Sequence, residues 1–140
     1  MAYKPGYLGD FRLDNAAGSL TDISPYIDTV SNSQSTETLD VSALGTAFKS
    51  YITGVHDGSF SISGPYEKTI WTHITALRSA FTAGTTSASF QWGPGGSVAG
   101  EAKVTGECIL TDLTHNGAVG GRAEWSATLQ ISGAADNSVF

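Results

Sequence analysis

Apolar residues recur with a helical period in only one part of the chain, between residues 69 and 81. Four of them fall three or four positions apart and therefore share one stripe of a helix; they are Ile70, Ile74, Leu77 and Phe81. Glu67 places negative charge near the start of this stretch, and Gly84 follows its end. The sequence therefore predicts one α-helix, over about residues 67–82, that packs one face against a sheet.

The rest of the chain shows the two-residue alternation of β-strands. The cleanest case is the run Ala123, Trp125, Ala127, Leu129 and Ile131, whose neighbours are all polar. Further β runs cover about 7–13, 20–31, 59–63, 86–92 and 98–113. We expect seven or eight strands in one domain over residues 1–140. The predicted fold is mainly β (α+β), an antiparallel β-sandwich or partly open barrel with one flanking helix.

Three segments lack such a pattern and are expected to be irregular. They are a flexible N-terminal arm over residues 1–5, a long exposed loop over 32–45 and a loose C-terminal tail over 134–140. A loop as long as 32–45 is usually functional or disordered. Both readings remain open for it, a contact surface for a neighbouring molecule or plain disorder.

Shorter signals mark turns and one ambiguous cluster. Asp57-Gly58 and the tetrapeptide 93–96 (GPGG) predict turns. The tetrapeptide is not a phosphate-binding loop, since no helical pattern follows it. Phe48, Tyr51 and Ile52 form an apolar cluster that fits either the end of a short helix or a strand.

Charge and composition limit the classes of molecule that this chain is expected to bind. The chain has 13 acidic and 7 basic residues, a net charge of −6, and no basic run that would neutralise phosphates. Direct capture of nucleic acid is therefore not expected. No stretch approaches the roughly 18 apolar residues of a membrane helix, so no membrane partner is expected. A chain with 17 glycines and only 14% charged residues has a weakly charged surface that suits contact with copies of itself.

No combination of residues points to catalysis. His56, His73 and His115 lack metal-ligand spacing, and no G-x-S-x-G motif occurs. Cys108 lies in a strand-like run without nearby positive charge, which favours a buried thiol. The separation of paired carboxylates is set by the fold and stays open. We expect a protein that is not an enzyme, with no catalytic residue, no cofactor and no metal site.

Two places in the sequence resemble a known family. The runs 39–45 (LDVSALG) and 54–64 (GVHDGSFSISG) look like the loop and the glycine-flanked strand that precede the helix in major tail (tail tube) proteins of long-tailed bacteriophages. The runs 106–113 (GECILTDL) and 123–133 (AEWSATLQISG) are similar to the closing hairpin of that family. The resemblance covers about residues 20–133.

This resemblance implies a structural virion protein whose sheet joins those of its neighbours in a hexameric ring. Stacked rings would form a tube that conducts DNA during ejection without binding it specifically. An acidic lumen would repel phosphates. The subunit would be assembled in the host cytoplasm, reside in the phage tail, and contact itself and other tail proteins. The loop and both terminal tails would make ring-to-ring contacts. The candidate contact residues are Ser35, Thr36, Glu37, Leu39, Asp40 and Val41.

Two alternatives remain. A capsid decoration or minor capsid protein can use the same fold, so fold by itself does not fix the role. A carbohydrate-binding or hydrolytic β-domain would need an exposed aromatic platform. The periodicity of Trp92 and Trp125 instead points both rings inward.

Overall fold

The computed structural model describes residues 5–45 and 47–140 as one antiparallel sheet with one helix. The elements are β1 (Asp10–Asp14), β2 (Leu20–Asp22), β3 (Thr29–Asp40), β4 (Tyr51–Pro65), α1 (Lys68–Thr82), β5 (Ala88–Gly93), β6 (Ala102–Asn116) and β7 (Glu124–Val139). Short 3-10 turns occupy Gly6–Leu8 and Ser24–Tyr26. The predicted fold class, mainly β with one flanking helix, is confirmed.

The seven strands are ordered β2-β1-β5-β6-β7-β4-β3, and every neighbouring pair is antiparallel. The sheet does not close into a barrel, so β2 and β3 are its two edges. It does curl over its own apolar face. The ring of Phe60 on β4 lies 5.6 Å from that of Phe11 on β1 and 4.8 Å from that of Phe90 on β5, although several strands separate them in the sheet.

The core lies between this curled face and α1. Along β7 the residues alternate strictly between buried and partly exposed from Trp125 to Ile131, as their sequence pattern predicts. The fully buried side chains include Phe11, Leu13, Ile23, Phe60, Ile62, Ile70, Ile74, Leu77, Phe90, Cys108, Trp125 and Leu129. The buried position of Cys108 agrees with the prediction.

Helix α1 begins and ends where the sequence predicts. The Glu67 carboxylate accepts a hydrogen bond from the backbone N–H of Thr69, which caps the first turn. Gly84 follows the last turn with φ +118°, a backbone conformation that favours glycine. Ile70, Ile74 and Leu77 are buried against the sheet, so the helix shields one end of the core from water.

The prediction of a loop over residues 32–45 is wrong for most of that segment. Residues 32–40 belong to β3, which pairs with β4 from Thr29 to Asp40. Because β4 pairs with β7 only from Ser59 onwards, residues 34–40 and 51–58 leave the sheet as a two-stranded ribbon; this ribbon and the described residues that connect its strands, 41–45 and 47–50, are called the arm below. Residues 31–40 are all exposed. Backbone pairing makes this segment a strand, while its two wet faces leave no apolar alternation in the sequence.

The predicted turn at Asp57-Gly58 is also wrong, since both residues lie inside β4. A side chain at Gly58 would approach the Ile131 Cδ1 atom to 2.9 Å and the Ser33 carbonyl oxygen to 3.1 Å. Glycine is therefore required here by close packing between strands rather than by turn geometry. The turn predicted at 93–96 is present, with the Gly96 N–H donating to the Gly93 carbonyl.

The predicted loose tail 134–140 is mostly strand. β7 passes through Gly133, which has φ +84°, and then pairs with the first residues of β6 as far as Val139. The N–H of Phe140 donates to the Glu101 carbonyl, and Lys103 Nζ lies 5.3 Å from the Phe140 ring. The polar sequence of this segment shows no strand pattern, but backbone pairing with β6 makes the segment a strand. Residues 1–4 of the predicted N-terminal arm lie outside the described residues, and Pro5 is exposed.

A charge in the helix–sheet interface should prevent folding. We expect Ile74→Ala to lower the free energy of unfolding by about 2–5 kcal/mol, because a buried isoleucine is truncated. Ile74→Asp would add an unpaired buried charge and leave the chain unfolded. Thr72→Asp, on the exposed side of the same helix, should change stability by less than about 0.5 kcal/mol. Circular dichroism during urea and thermal unfolding measures all three; a folded Ile74→Asp subunit would contradict this packing.

Candidate functional site

The groups that could perform chemistry are dispersed or inert. Over residues 5–45 and 47–140, no three His, Cys, Asp or Glu side chains converge as a metal site, and no helix could span a membrane. Burial raises the pKa of the Cys108 thiol to about 12. Burial also lowers the pKa of His73, although its Nε2 lies 3.1 Å from the Asp14 carbonyl oxygen. These two groups are therefore a neutral thiol and a neutral imidazole at pH 7.

The six predicted contact residues all lie on the arm. Five of them belong to β3 and Val41 follows it, and every one is exposed. The register of the ribbon shifts between Thr36 and Thr38, so Gly54 and Val55 of β4 form a bulge opposite Glu37. Thr36 Oγ1 lies 2.9 Å from His56 Nδ1 on the partner strand. The structure thus brings these residues together on one projecting ribbon rather than on a loop.

The end of the arm carries an apolar surface that the predicted contacts only partly include. We call it the arm tip; its large exposed side chains are Leu39, Val41, Leu44, Phe48, Tyr51, Ile52 and Val55. Leu44 and Phe48 are 104% and 87% exposed. Soluble monomers rarely concentrate apolar side chains on one projecting surface, so such a surface marks a contact site. Sequence analysis recognised Phe48, Tyr51 and Ile52 as an apolar cluster but did not predict them as contacts, and it did not predict Leu44 or Val55 as contacts either.

A second apolar surface lies where the sheet fails to close. The chain crosses this gap through Ser24–Tyr26, and the N–H of Asp28 then donates to the Ser63 carbonyl of β4. Beside the crossing is a groove of about 940 Å³, called the seam groove below. Its apolar lining residues are Tyr7, Phe11, Pro25, Ile27, Val30, Trp92 and Pro94. Trp92, expected in the core, is only half-buried because it borders this groove.

The face of the sheet opposite the core is lined by small polar side chains, and we call it the wet face. Residues that are paired across neighbouring strands lie on the same face of a sheet, and the rows that alternate with the buried residues of β4 lie on the wet face. They form the rows Thr29-Ser63-Ser126, Ser31-Ser61-Thr128 and Ser33-Ser59-Gln130. Asp112 of β6 extends the second row, next to Thr128. Strands β3, β4 and β7 contain no lysine or arginine, and the only one in β6 is Lys103 at its start.

One basic residue lies at the rim of the wet face and is paired. Arg122 bonds the Asp28 carboxylate, and its Nε lies 2.7 Å from Glu124 Oε1. The hydrogen bond from Arg122 lowers the pKa of Asp28. This cation is therefore committed to local carboxylates, and the wet face itself is polar with acidic groups.

Comparison with solved structures relates this architecture to tubular assemblies. No protein-family model and no curated protein matches the sequence. The tail of an empty gene transfer agent particle, refined with helical C6 symmetry, matches with a TM-score of 0.78 at 21% identity, covering 99% of this chain and 100% of the other.

Two further matches extend the comparison. The SPP1 tail tube has a TM-score of 0.76 at 15% identity, covering 99% of this chain and 80% of the other. The sheath-tube complex of an extracellular contractile injection system, in its extended state, has a TM-score of 0.70 at 12% identity, covering 99% and 93%. At these identities the likeness concerns the fold, and it spans nearly the whole chain. The chain therefore has the fold of tail-tube proteins.

Proposed function

We propose that this protein is the tail tube subunit of a long-tailed phage or a related particle, a structural protein without catalytic activity. Six copies form a ring, and stacked rings form a tube through which DNA passes. The observation that carries the proposal is the match over 99% of the chain to a tail of helical C6 symmetry. The resemblance of residues 20–133 to major tail proteins supports the same role independently.

The open sheet supports ring formation. Its edges are β2 and β3, and strand edges with unpaired backbone groups readily pair with another chain. A contact between two different edges is heterologous, and it closes into a ring when each copy is rotated by a fixed fraction of a turn. Ring closure would leave no exposed edge, which removes a route to aggregation.

The arm supports the stacking of rings. It projects beyond the sheet and carries the candidate contacts Ser35, Thr36, Glu37, Leu39, Asp40 and Val41 on exposed positions. The apolar arm tip gains a hydrophobic driving force only when another molecule covers it. In the tube, the arm reaches from its own ring to the next one.

The wet face supports a channel wall. Helix α1 and the core cover the other side of the sheet, so the wet face is the side free to line a lumen. Along β3, β4 and β7 its side chains include no lysine or arginine, and Asp112 on β6 repels phosphates. DNA would pass such a wall without specific binding. The protein would be built in the host cytoplasm, reside in the virion tail and contact other tail proteins at the tube ends.

Purified protein, alone or with tail-initiation components, should form hollow tubes visible by negative-stain electron microscopy. Replacing residues 37–55 by Asn-Gly keeps the Thr36-His56 pair and closes a short hairpin. We expect this variant to fold with an unchanged circular dichroism spectrum but to form no tubes. A matched control shortens the exposed turn at 117–121 and should leave tube growth intact. Tubes of normal length from the short-arm variant would contradict the role of the arm.

Lysine on the wet face should make the lumen retain DNA. Tubes of Ser61→Lys should bind a short DNA duplex with strong salt dependence, because each subunit adds a cation to the wall. The bound duplex should resist nuclease, since it lies inside the tube. Thr72→Lys places the same charge on the exposed side of α1, and its bound DNA should be digested. Equal protection in the two variants would show that the wet face does not line the lumen.

A capsid decoration or minor capsid protein with this fold would lie on the head instead of the tail. Immunogold labelling of intact particles distinguishes these roles. We expect gold along disrupted or exposed tail tubes and none on heads. Labelling of heads alone would replace the tail proposal with the capsid one.

A further inference from the structure

We infer that the arm tip of one subunit docks into the seam groove of the subunit that follows it along the tube. The inference rests on the tube function proposed above and identifies the surface that receives the arm. Both surfaces belong to the same chain, and each is incomplete in the isolated subunit.

The arm tip is apolar and uncovered. Leu44, Phe48 and Val55 are 104%, 87% and 71% exposed, which is unusual for side chains of this size on a monomer. Leu44 and Phe48 lie beyond the last pair of the ribbon, Asp40 and Tyr51, and Val55 lies on β4 within the ribbon. All three side chains remain in water in the isolated subunit.

The seam groove matches the arm tip in size and in character. Its volume of about 940 Å³ is at the upper end of the roughly 300–1,000 Å³ that binding pockets reach, so several side chains fit. Tyr7 at its rim is 85% exposed, and Phe11 and Trp92 line its inner wall. Asp28 is the only charged residue among its lining residues, and Arg122 already pairs with it. An apolar ligand can enter without leaving a buried charge unpaired.

The position of the two surfaces excludes a contact between them within one subunit. Thr29 and Val30, the first residues of β3, line the groove, and the arm tip begins where β3 ends at Asp40. A strand rises about 3.3 Å per residue, so the two surfaces are separated by on the order of 35 Å along β3. The paired ribbon holds them apart, and a subunit cannot insert its arm tip into its own groove.

This arrangement produces a tube rather than a closed pair. The arm tip and the groove are different patches, so each subunit uses both at once, one towards each neighbour. Translation along β3 repeats the contact without closing it, which gives an open filament. The axial offset between successive rings is then set by the length of β3 from the groove to the arm tip, on the order of 35 Å.

Paired cysteines test this contact in assembled tubes. The double variant Phe48→Cys/Tyr7→Cys carries one thiol on each surface, and a short bismaleimide should link successive subunits into a ladder of covalent oligomers on a denaturing gel. The native Cys108 does not compete, because burial raises its pKa to about 12. The control Phe48→Cys/Val119→Cys moves the second thiol to a residue that is 108% exposed outside the groove, and it should give no ladder.

The outcomes separate this inference from the function on which it rests. If wild-type protein forms no tubes, the proposed function fails first. If tubes form and the double variant stays monomeric on the gel, the groove is not the receptor and the inference is overturned. Dimers from Phe48→Cys alone mean that arm tips meet each other, and a ladder from dispersed rings means that the contact lies within a ring; either result also overturns it.

A second pair of variants tests the contact without cross-linking. Tyr7→Asp and Phe48→Asp each place a charge on one exposed surface, so both subunits should fold normally and lose at least 90% of tube mass in a sedimentation assay. Val119→Asp makes the same change on an exposed residue outside both surfaces and should sediment as the wild type does. Normal sedimentation of Tyr7→Asp would overturn the inference even if Phe48→Asp fails to assemble.

Discussion

The whole molecule depends on the burial of one face of a single curled sheet. Phe11, Phe60 and Phe90 come from three different strands and meet in the centre of the core, and α1 covers what the curl leaves open. The opposite face carries small polar side chains and stays in contact with water. An antiparallel sheet tolerates this division, since its strands can alternate between apolar and polar positions. The same alternation that builds the core therefore builds the wet face.

The arm shows how backbone and side chains can be stabilised by different means. Its two strands bond each other along their inner edges through the β3-β4 pairing, yet its side chains stay in water. A ribbon with little buried apolar surface is only marginally stable by itself. Contact with another subunit would supply the missing burial. Folding thus draws on the core, and assembly would draw mainly on exposed residues of the arm tip and the groove rim, with Phe11 lying in both the core and the groove wall.

Charge is distributed in a way that suits repeated contact between identical chains. The net charge of −6 would make copies repel one another if it lay on the contact surfaces. The seam groove contains one carboxylate, Asp28, which Arg122 neutralises locally. Along the arm tip, Asp40 and Lys49 balance each other in sign. Much of the unbalanced negative charge is left for other surfaces, including the wet face with Asp112.

The sequence by itself determined the elements whose side chains have one buried and one exposed face. The three-to-four spacing of Ile70, Ile74 and Leu77 specified α1, and the alternation from Trp125 to Ile131 specified β7, because burial on one side leaves a periodic pattern. It also contained the resemblance to tail tube proteins. It placed all six candidate contact residues within the segment that became the arm, although it described that segment as a loop.

Only the tertiary structure decided the features that depend on pairing between distant residues. The arm and the end of β7 are strands because β4 and β6 supply their hydrogen bonds, and polar side chains with no buried face leave no period to read. Gly58 is explained by the approach of Ile131, which is 73 positions away in sequence and next to it in the fold. The seam groove exists because β2 and β3 do not pair. The periodicity of a sequence shows which face of a single helix or strand is buried. Sheet edges, gaps and projecting ribbons depend instead on the order in which the strands pair.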